Sequence, residues 1–149
     1  MIDLNLVLDA DKRVEVGNFF VKKDDFETGL SMFESAMDAD PNNLHALCNG
    51  AYLLMRQKNL ARAEHWVRQA LGISPEHAHA LGIFAQIAQE SGEYHAARVL
   101  FDHSLRSEPG NVTTLLNYAY MLQLIGDYPE ALRIYTQARD LNVMDASVR

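Results

Sequence analysis

The sequence predicts an all-α fold, an α-α superhelix or solenoid of about four helix-turn-helix repeats and eight helices. Three prolines set the period, because Pro41, Pro75 and Pro109 are separated by 34 residues each time. Apolar residues within each repeat have helical rather than strand spacing. We therefore divide the chain into an N-terminal arm (1–9), one domain of four repeats and a C-terminal tail (146–149), the repeats covering 10–43, 44–77, 78–111 and 112–145.

Four columns of the aligned repeats support this division. Small residues let paired helices approach closely, and a large apolar residue one turn away fills the space beside them. The fourth repeat ends differently, with Val143 where the others have proline. The columns are Gly17, Ala51, Ala85 and Ala119; Gly29, Ala63, Ala97 and Ala131; Phe33, Val67, Phe101 and Tyr135; and Ala36, Ala70, Ser104 and Ala138.

Each repeat contains two predicted helices separated by a short turn. Gly92 and Gly126 can end a first helix in the left-handed conformation, and Asp or Asn after the turn can cap the second. Pro129 suits the first turn of the last helix. The helices are expected near residues 11–24, 26–39, 44–57, 60–73, 78–91, 94–107, 112–125 and 128–141.

Together these features resemble the tetratricopeptide repeat family over residues 10–145. The chain departs from the family at its early tryptophan, because Arg13, Leu47, Leu81 and Leu115 occupy those positions. The resemblance implies that the first helix of each repeat lines a concave surface and that this surface binds another protein.

The exposed stripe of the first helices is therefore the predicted peptide-binding surface. Asparagine amides can donate to and accept from a peptide backbone, while aromatic and aliphatic side chains offer apolar contacts. The alternative is that the asparagines are simply solvated and the tyrosines pack against the next helix. The candidate residues are Val14, Asn18, Val21, His45, Asn49, Tyr52, Met55, Arg56, His79, Gln86, Leu116, Asn117 and Tyr120.

Some members of the family hold an acidic C-terminus with a carboxylate clamp of two asparagines and three cationic residues. Asn18 and Asn49 stand where the resemblance places the asparagines, but Val14, His79 and Ile83 occupy the places of the cations. Without permanent positive charge a terminal carboxylate loses its charge-assisted hydrogen bonds. We therefore expect a different mode of binding.

Composition narrows the partner classes. The 149 residues carry a formal net charge of -7, which disfavours nucleic acid and anionic membranes as partners. No stretch is apolar enough for direct membrane insertion, and the start lacks the features of a signal peptide. The single cysteine, Cys48, cannot form an internal disulfide, so we expect a reducing, cytoplasmic location.

The sequence predicts neither a catalytic motif nor a metal-binding motif. His45, His77 and His79 lie near equivalent helix starts, but no carboxylate or thiol is spaced to complete a metal site. His45 and Cys48 are one turn apart, yet a Cys-His pair also needs an oxyanion donor and a shaped pocket. We expect no cofactor, no metal and no catalytic residue, with an enzyme module built on these residues as the remote alternative.

The two ends of the chain carry apolar residues outside the regular repeat pattern. The leucines and isoleucine of residues 1–9 fit either an extended arm or a short amphipathic helix. At the other end no capping helix is expected after the fourth repeat, so its flank should expose apolar side chains. Either a second copy, as a homodimer, or the partner covers them, unless the chain is a piece of a longer solenoid. The candidates on that flank are Tyr118, Leu122, Tyr128 and Leu132.

The sequence thus favours a non-enzymatic adaptor or scaffold that binds a polypeptide segment and assists assembly of a complex. A narrower alternative is a cytoplasmic chaperone for a component of a secretion or pilus apparatus. Repeats of this kind serve many partners, so the fold alone does not choose between them.

Overall fold

The computed structural model describes residues 8–148, with side chains described for residues 8–142. All regular structure in this part of the chain is helical, which confirms the predicted all-α class. The predicted helices agree with the observed ones to within one or two residues, except at the end of the last. The eight helices are α1 (Ala10–Lys22), α2 (Phe26–Ala39), α3 (Leu44–Arg56), α4 (Leu60–Ile73), α5 (Ala78–Glu90), α6 (Tyr94–Ser107), α7 (Val112–Leu124) and α8 (Tyr128–Val148).

The chain divides into two compact units, Met1–Pro75 and Glu76–Arg149. In the first unit, α1 packs on α2 and α3 on α4, and α3 also contacts both helices of the preceding pair. The second unit repeats this arrangement with α5 on α6 and α7 on α8. Each unit therefore holds two of the predicted helix-turn-helix repeats.

The first helix of every repeat begins at a capping side chain in the same column. In each case a side-chain oxygen or nitrogen accepts a hydrogen bond from the backbone N–H three residues later, which satisfies one of the orphan donors of the first turn. In the third repeat the cap is an imidazole, since His77 Nδ1 accepts from the backbone N–H of Ala80 at 3.2 Å. The caps are Asp9, Asn43, His77 and Asn111.

The turn inside every repeat uses one left-handed residue at a fixed position. The next N–H bonds back to the carbonyl five residues earlier, as from Asn59 to Leu54 at 2.9 Å, which closes the first helix in a Schellman motif. Glycine supplies the conformation in the second unit, as predicted, but charged residues adopt it in the first. These residues, with φ of 61, 65, 78 and 83°, are Asp24, Lys58, Gly92 and Gly126.

The core of the first unit is built on the predicted columns of small and large residues. Phe33 is buried against Gly17, where even a methyl group would meet its ring at 2.6 Å. Trp66 is buried against Gly50 in the same way, since a β-carbon there would overlap the indole. Glycine therefore makes room for an aromatic ring in both helix pairs.

The core of the second unit is centred on an aromatic pair. Phe101 and Tyr118 stack with centroids 5.2 Å apart and ring planes 17° from parallel. The buried hydroxyl of Ser104 donates to the carbonyl of Ala78 at 2.8 Å, so this departure from the alanine column carries no unsatisfied group. The surrounding buried side chains include Ala85, Ala97, Leu115, Ala119, Leu122, Ala131, Ile134 and Ala138.

The structure differs from the sequence predictions at the end of the last helix and on the flank of the fourth repeat. The last helix does not end near residue 141 but continues to Val148, so most of residues 142–149 extend α8. Tyr118 and Leu122 are buried core residues rather than exposed flank residues, because they face the other helices of their unit. Tyr128 and Leu132 are exposed as predicted, each by 66%. Residues 1–7 lie outside the described residues, and with them most of the arm.

Among the helices of the described chain, none is both long and apolar enough to cross a membrane.

Candidate peptide-binding surface

The first unit brings two of the candidate asparagines together. The Asn49 amide on α3 donates to the Oδ1 atom of Asn18 on α1 at 3.1 Å, and both side chains are half-buried. This bond uses one donor of Asn49 and leaves the donors of Asn18 and the acceptor of Asn49 for further hydrogen bonds. The pair is therefore a fixed polar group with both donor and acceptor capacity.

An aromatic-cationic pair lies along α3 from these amides. The Arg56 guanidinium donates to the Tyr52 hydroxyl at 3.1 Å and its Cζ lies 5.9 Å from the ring centroid. Both residues are exposed, as is His45 at the start of the helix. Residues 45, 49, 52 and 56 follow helical spacing, so they share one face of α3. That face presents an imidazole, an amide, a phenol and a guanidinium in order.

The second unit carries a more apolar surface on α7. Leu116 and Tyr120 are 42% and 53% exposed, and Leu124 extends the same i, i+4 row. Asn117 lies half-buried beside them. On α5, Gln86 is half-buried and His79 is exposed, its ring 6.4 Å from that of His77.

Three candidate residues do not belong to an exposed surface. Val14 and Met55 are only 6% and 5% exposed, because both turn into the helix pair of the first unit. Val21 is half-buried and packs over Gly29 of α2, where an added β-carbon would meet its Cγ2 atom at 2.7 Å. Spacing places these residues near the stripe, but their side chains complete the core, so Val14 and Met55 are removed from the surface and Val21 contributes only an edge.

The positions compared with a carboxylate clamp carry no cation. Val14 and Ile83 are buried and aliphatic, and His79 is exposed. None of these three positions therefore supplies an ammonium or guanidinium group to hold a terminal carboxylate.

The cysteine-histidine alternative loses its nucleophile. Cys48 is completely buried, and burial raises the pKa of its thiol to about 12. The thiolate needed for attack is therefore scarce at neutral pH. Within the residues that the structure describes, no three His, Cys, Asp or Glu side chains gather to hold a metal ion.

On the first helices, one exposed aromatic residue was not predicted. Phe19 on α1 is exposed, with the Lys23 ammonium 5.7 Å from its centroid and the Phe20 ring edge-on at 5.4 Å. Its column predicts burial, because the equivalent Leu53, Ile87 and Met121 are core residues. Only its position on α1, the first helix of the series, distinguishes it from them.

Several solved structures share the fold at low sequence identity. MamA from Desulfovibrio magneticus RS-1 is 14% identical with a TM-score of 0.75, covering 91% of this chain and 77% of its own. Pseudomonas aeruginosa pilF is 19% identical with a TM-score of 0.76, covering 89% and 60%. The first tetratricopeptide domain of Spaghetti (RPAP3), bound to an HSP90 peptide, is 22% identical with a TM-score of 0.71, covering 78% and 93%.

A search of curated protein sequences finds no significant match. Comparison with models of protein families does find matches, and they agree with the structural likeness. Two family models, both described as tetratricopeptide repeat, match residues 20–87 and 84–146, which together span both units. The chain belongs to the tetratricopeptide repeat family, whose domains mediate protein-protein interaction.

Proposed function

We propose that this chain is a non-enzymatic adaptor that binds a polypeptide segment of a partner protein on the exposed faces of its first helices. The observation that carries the proposal is the bonded Asn18–Asn49 pair beside the exposed Tyr52. A fixed amide pair matches the donor and acceptor of one peptide unit, and the phenol ring supplies adjacent apolar area. Binding of this kind would help to assemble a larger complex.

The partner segment is expected to be internal rather than a free acidic C-terminus. The surface offers amides and apolar groups but no cation at the clamp positions, so backbone hydrogen bonds and apolar side chains provide the recognition. The exposed row of Leu116, Tyr120 and Leu124 supports an apolar segment in the second unit. The RPAP3 domain holds a peptide on the same fold, which makes peptide binding a suitable expectation here.

Partner binding can be measured after the partner is recovered with the wild-type chain from host cells and identified by mass spectrometry. We expect Asn49→Ala and Tyr52→Ala each to weaken calorimetric affinity by roughly tenfold, the usual effect of losing a well-placed interface contact. The matched control is Gln69→Ala on α4, an exposed position away from the first-helix faces. Unchanged affinity in both surface variants would remove the proposal.

The exposed flank of α8 supports a second candidate, a homodimer formed through the fourth repeat. Tyr128 and Leu132 are one helical turn apart and are the most exposed large apolar side chains in the described chain. Covering such a pair with a second copy removes apolar area from water. We expect concentration-dependent dimerisation by analytical ultracentrifugation that Leu132→Ser abolishes. A strict monomer at high concentration would exclude this assembly.

We place the adaptor in the cytoplasm, because its single cysteine, Cys48, cannot form an internal disulfide and so needs no oxidising compartment. A chaperone for a secretion or pilus component is the narrower alternative. The same recovery experiment separates them: an exported or membrane-bound partner favours the chaperone, and a resident assembly favours the adaptor. We expect neither a cofactor nor a nucleic-acid partner.

A further inference from the structure

The start of α5 is held by a side chain that can gain a proton near neutral pH. His77 Nδ1 accepts from the backbone N–H of Ala80 at 3.2 Å. The equivalent caps of α3 and α7 use the amide oxygens of Asn43 and Asn111, each at 3.0 Å from its donor. An amide oxygen accepts a hydrogen bond at any ordinary pH, whereas a ring nitrogen accepts only while it carries no proton. The cap of α5 therefore requires the neutral imidazole.

Protonation of this imidazole acts against the first turn of α5 in two ways. Nδ1 becomes a donor and faces the N–H of Ala80, so the capping hydrogen bond is lost. Ala80 is fully buried, which makes the loss of that partner costly. The added positive charge also lies at the N-terminal end of the helix dipole, where negative charge is favoured.

The neighbouring titratable groups of the second unit respond to acid in their own ways. The Glu76 carboxylate lies 2.7 Å from the Nε2 atom of His103 on α6 and accepts from the Ser107 hydroxyl at 3.4 Å. Protonation of His103 strengthens this pair, so its response to acid is opposite to that of the cap. The ring of His79 lies 6.4 Å from that of His77, and its protonation adds further positive charge to the same turn.

We propose that His77 is a pH-sensitive cap, which fastens the first turn of α5 near neutral pH and releases it in mildly acidic solution. Because protonation breaks the cap, the unfolded chain binds this proton more readily than the folded chain. The stability from the cap is therefore present above about pH 7 and is lost as the pH falls toward about 5. The Ser104 hydroxyl still ties α5 to α6 by donating to the carbonyl of Ala78 at 2.8 Å, so the release is confined to the first turn.

Release of this turn would also change partner binding, because the turn carries the exposed His79 of the candidate peptide surface. This consequence rests on the proposed function, whereas the cap itself is tested without a partner. Between about pH 7.5 and about pH 5, the affinity of the wild type for the recovered partner should fall roughly threefold more than that of His77→Asn. The same pH dependence in both proteins would leave the cap in place and remove its effect on the partner.

Two substitutions at position 77 test the cap by urea unfolding. His77→Asn supplies the amide cap that α3 and α7 use, and His77→Ala supplies none. At about pH 7.5 we expect the wild type and His77→Asn both to unfold less readily than His77→Ala. At about pH 5 the unfolding constant of the wild type should rise by roughly fivefold to tenfold relative to that of His77→Asn, the usual effect of losing an N-cap.

Amide NMR shifts of the wild type locate the change within the chain. The amide of Ala80 should move with the same midpoint as the ring protons of His77. The matched control is the amide of Ala46, which is equally buried and occupies the same column but bonds to Asn43. It should not move over this range of pH.

Three results would overturn the inference. The first is a ratio of unfolding constants between the wild type and His77→Asn that does not change with pH. The second is equal movement of the Ala80 and Ala46 amides. The third is loss of the pH-dependent difference when His103→Gln or His79→Gln is added to both proteins, which would assign the response to those imidazoles instead.

Discussion

Gly50 shows how one atom decides packing at the scale of a residue. A β-carbon at this position would overlap the Trp66 ring, which is buried and cannot move aside. We expect Gly50→Ala to lower the free energy of unfolding by about 1–3 kcal/mol, as over-packed cores do. Urea denaturation monitored by circular dichroism measures this change.

The matched control for that substitution is Gly72→Ala on α4. Nothing lies within 4 Å of an added β-carbon there, so only helix propensity changes. Alanine should raise the free energy of unfolding by about 0.5–1 kcal/mol. Equal effects of the two substitutions would contradict the packing of Trp66 over Gly50.

The buried phenol of Tyr118 should make the free energy of unfolding depend on pH in the alkaline range. Burial, with the hydrogen bond to Asp102, raises the pKa of its phenol from 10.0 to about 12. Because the folded pKa is raised, the stability it contributes is fully present below pH 10 and is lost as the pH rises through about 12. The advantage of the wild type over Tyr118→Phe should therefore shrink across this window.

Urea unfolding of both proteins at about pH 9 and about pH 11 tests this expectation. An advantage that stays constant or grows between the two pH values would show that the phenol ionises as readily in the folded chain as in the unfolded one.

At the scale of an element, the turns inside the repeats place different residue types in the same left-handed backbone conformation. Lys58 has a φ of 65° at the position where Gly92 has 78°. A lysine pays a steric cost in this region that glycine does not. We expect Lys58→Gly to stabilise the first unit by about 0.5–1 kcal/mol.

In the second unit the corresponding test replaces the left-handed glycine with a residue that has a side chain. Gly92→Ala should lower stability by about 1 kcal/mol, because alanine acquires the cost that glycine avoids. Thermal unfolding of both variants compares them directly. A destabilising Lys58→Gly would mean that the contacts of the lysine side chain outweigh the backbone strain.

The helices themselves were largely predictable, because each signal is local. Caps such as Asn43 and Asn111, and the left-handed glycines, act within one turn of the chain. The extension of α8 was missed although its signal is also local, since Val143 stands where the other repeats have proline and no other residue there specifies a stop.

At the scale of the whole molecule, the period of 34 residues predicted the repeats and their small and large columns, which are buried as expected except for the half-buried Tyr135. The binding surface was predictable only in part. Asn18, Asn49 and Tyr52 lie where helical spacing places them, but Val14 and Met55 turn inward. Which way a side chain at the edge of a stripe turns depends on its neighbours in three dimensions, and spacing along one helix does not contain that information.

The central claim, that the exposed faces of the first helices bind a partner segment, is tested most directly by site-specific photo-cross-linking in host cells. A benzoylphenylalanine in place of Tyr52 on α3 should cross-link a partner that mass spectrometry identifies, while the same group in place of Gln69 on α4 should not. Cross-links to the same partner from position 69, with none from position 52, would contradict the account.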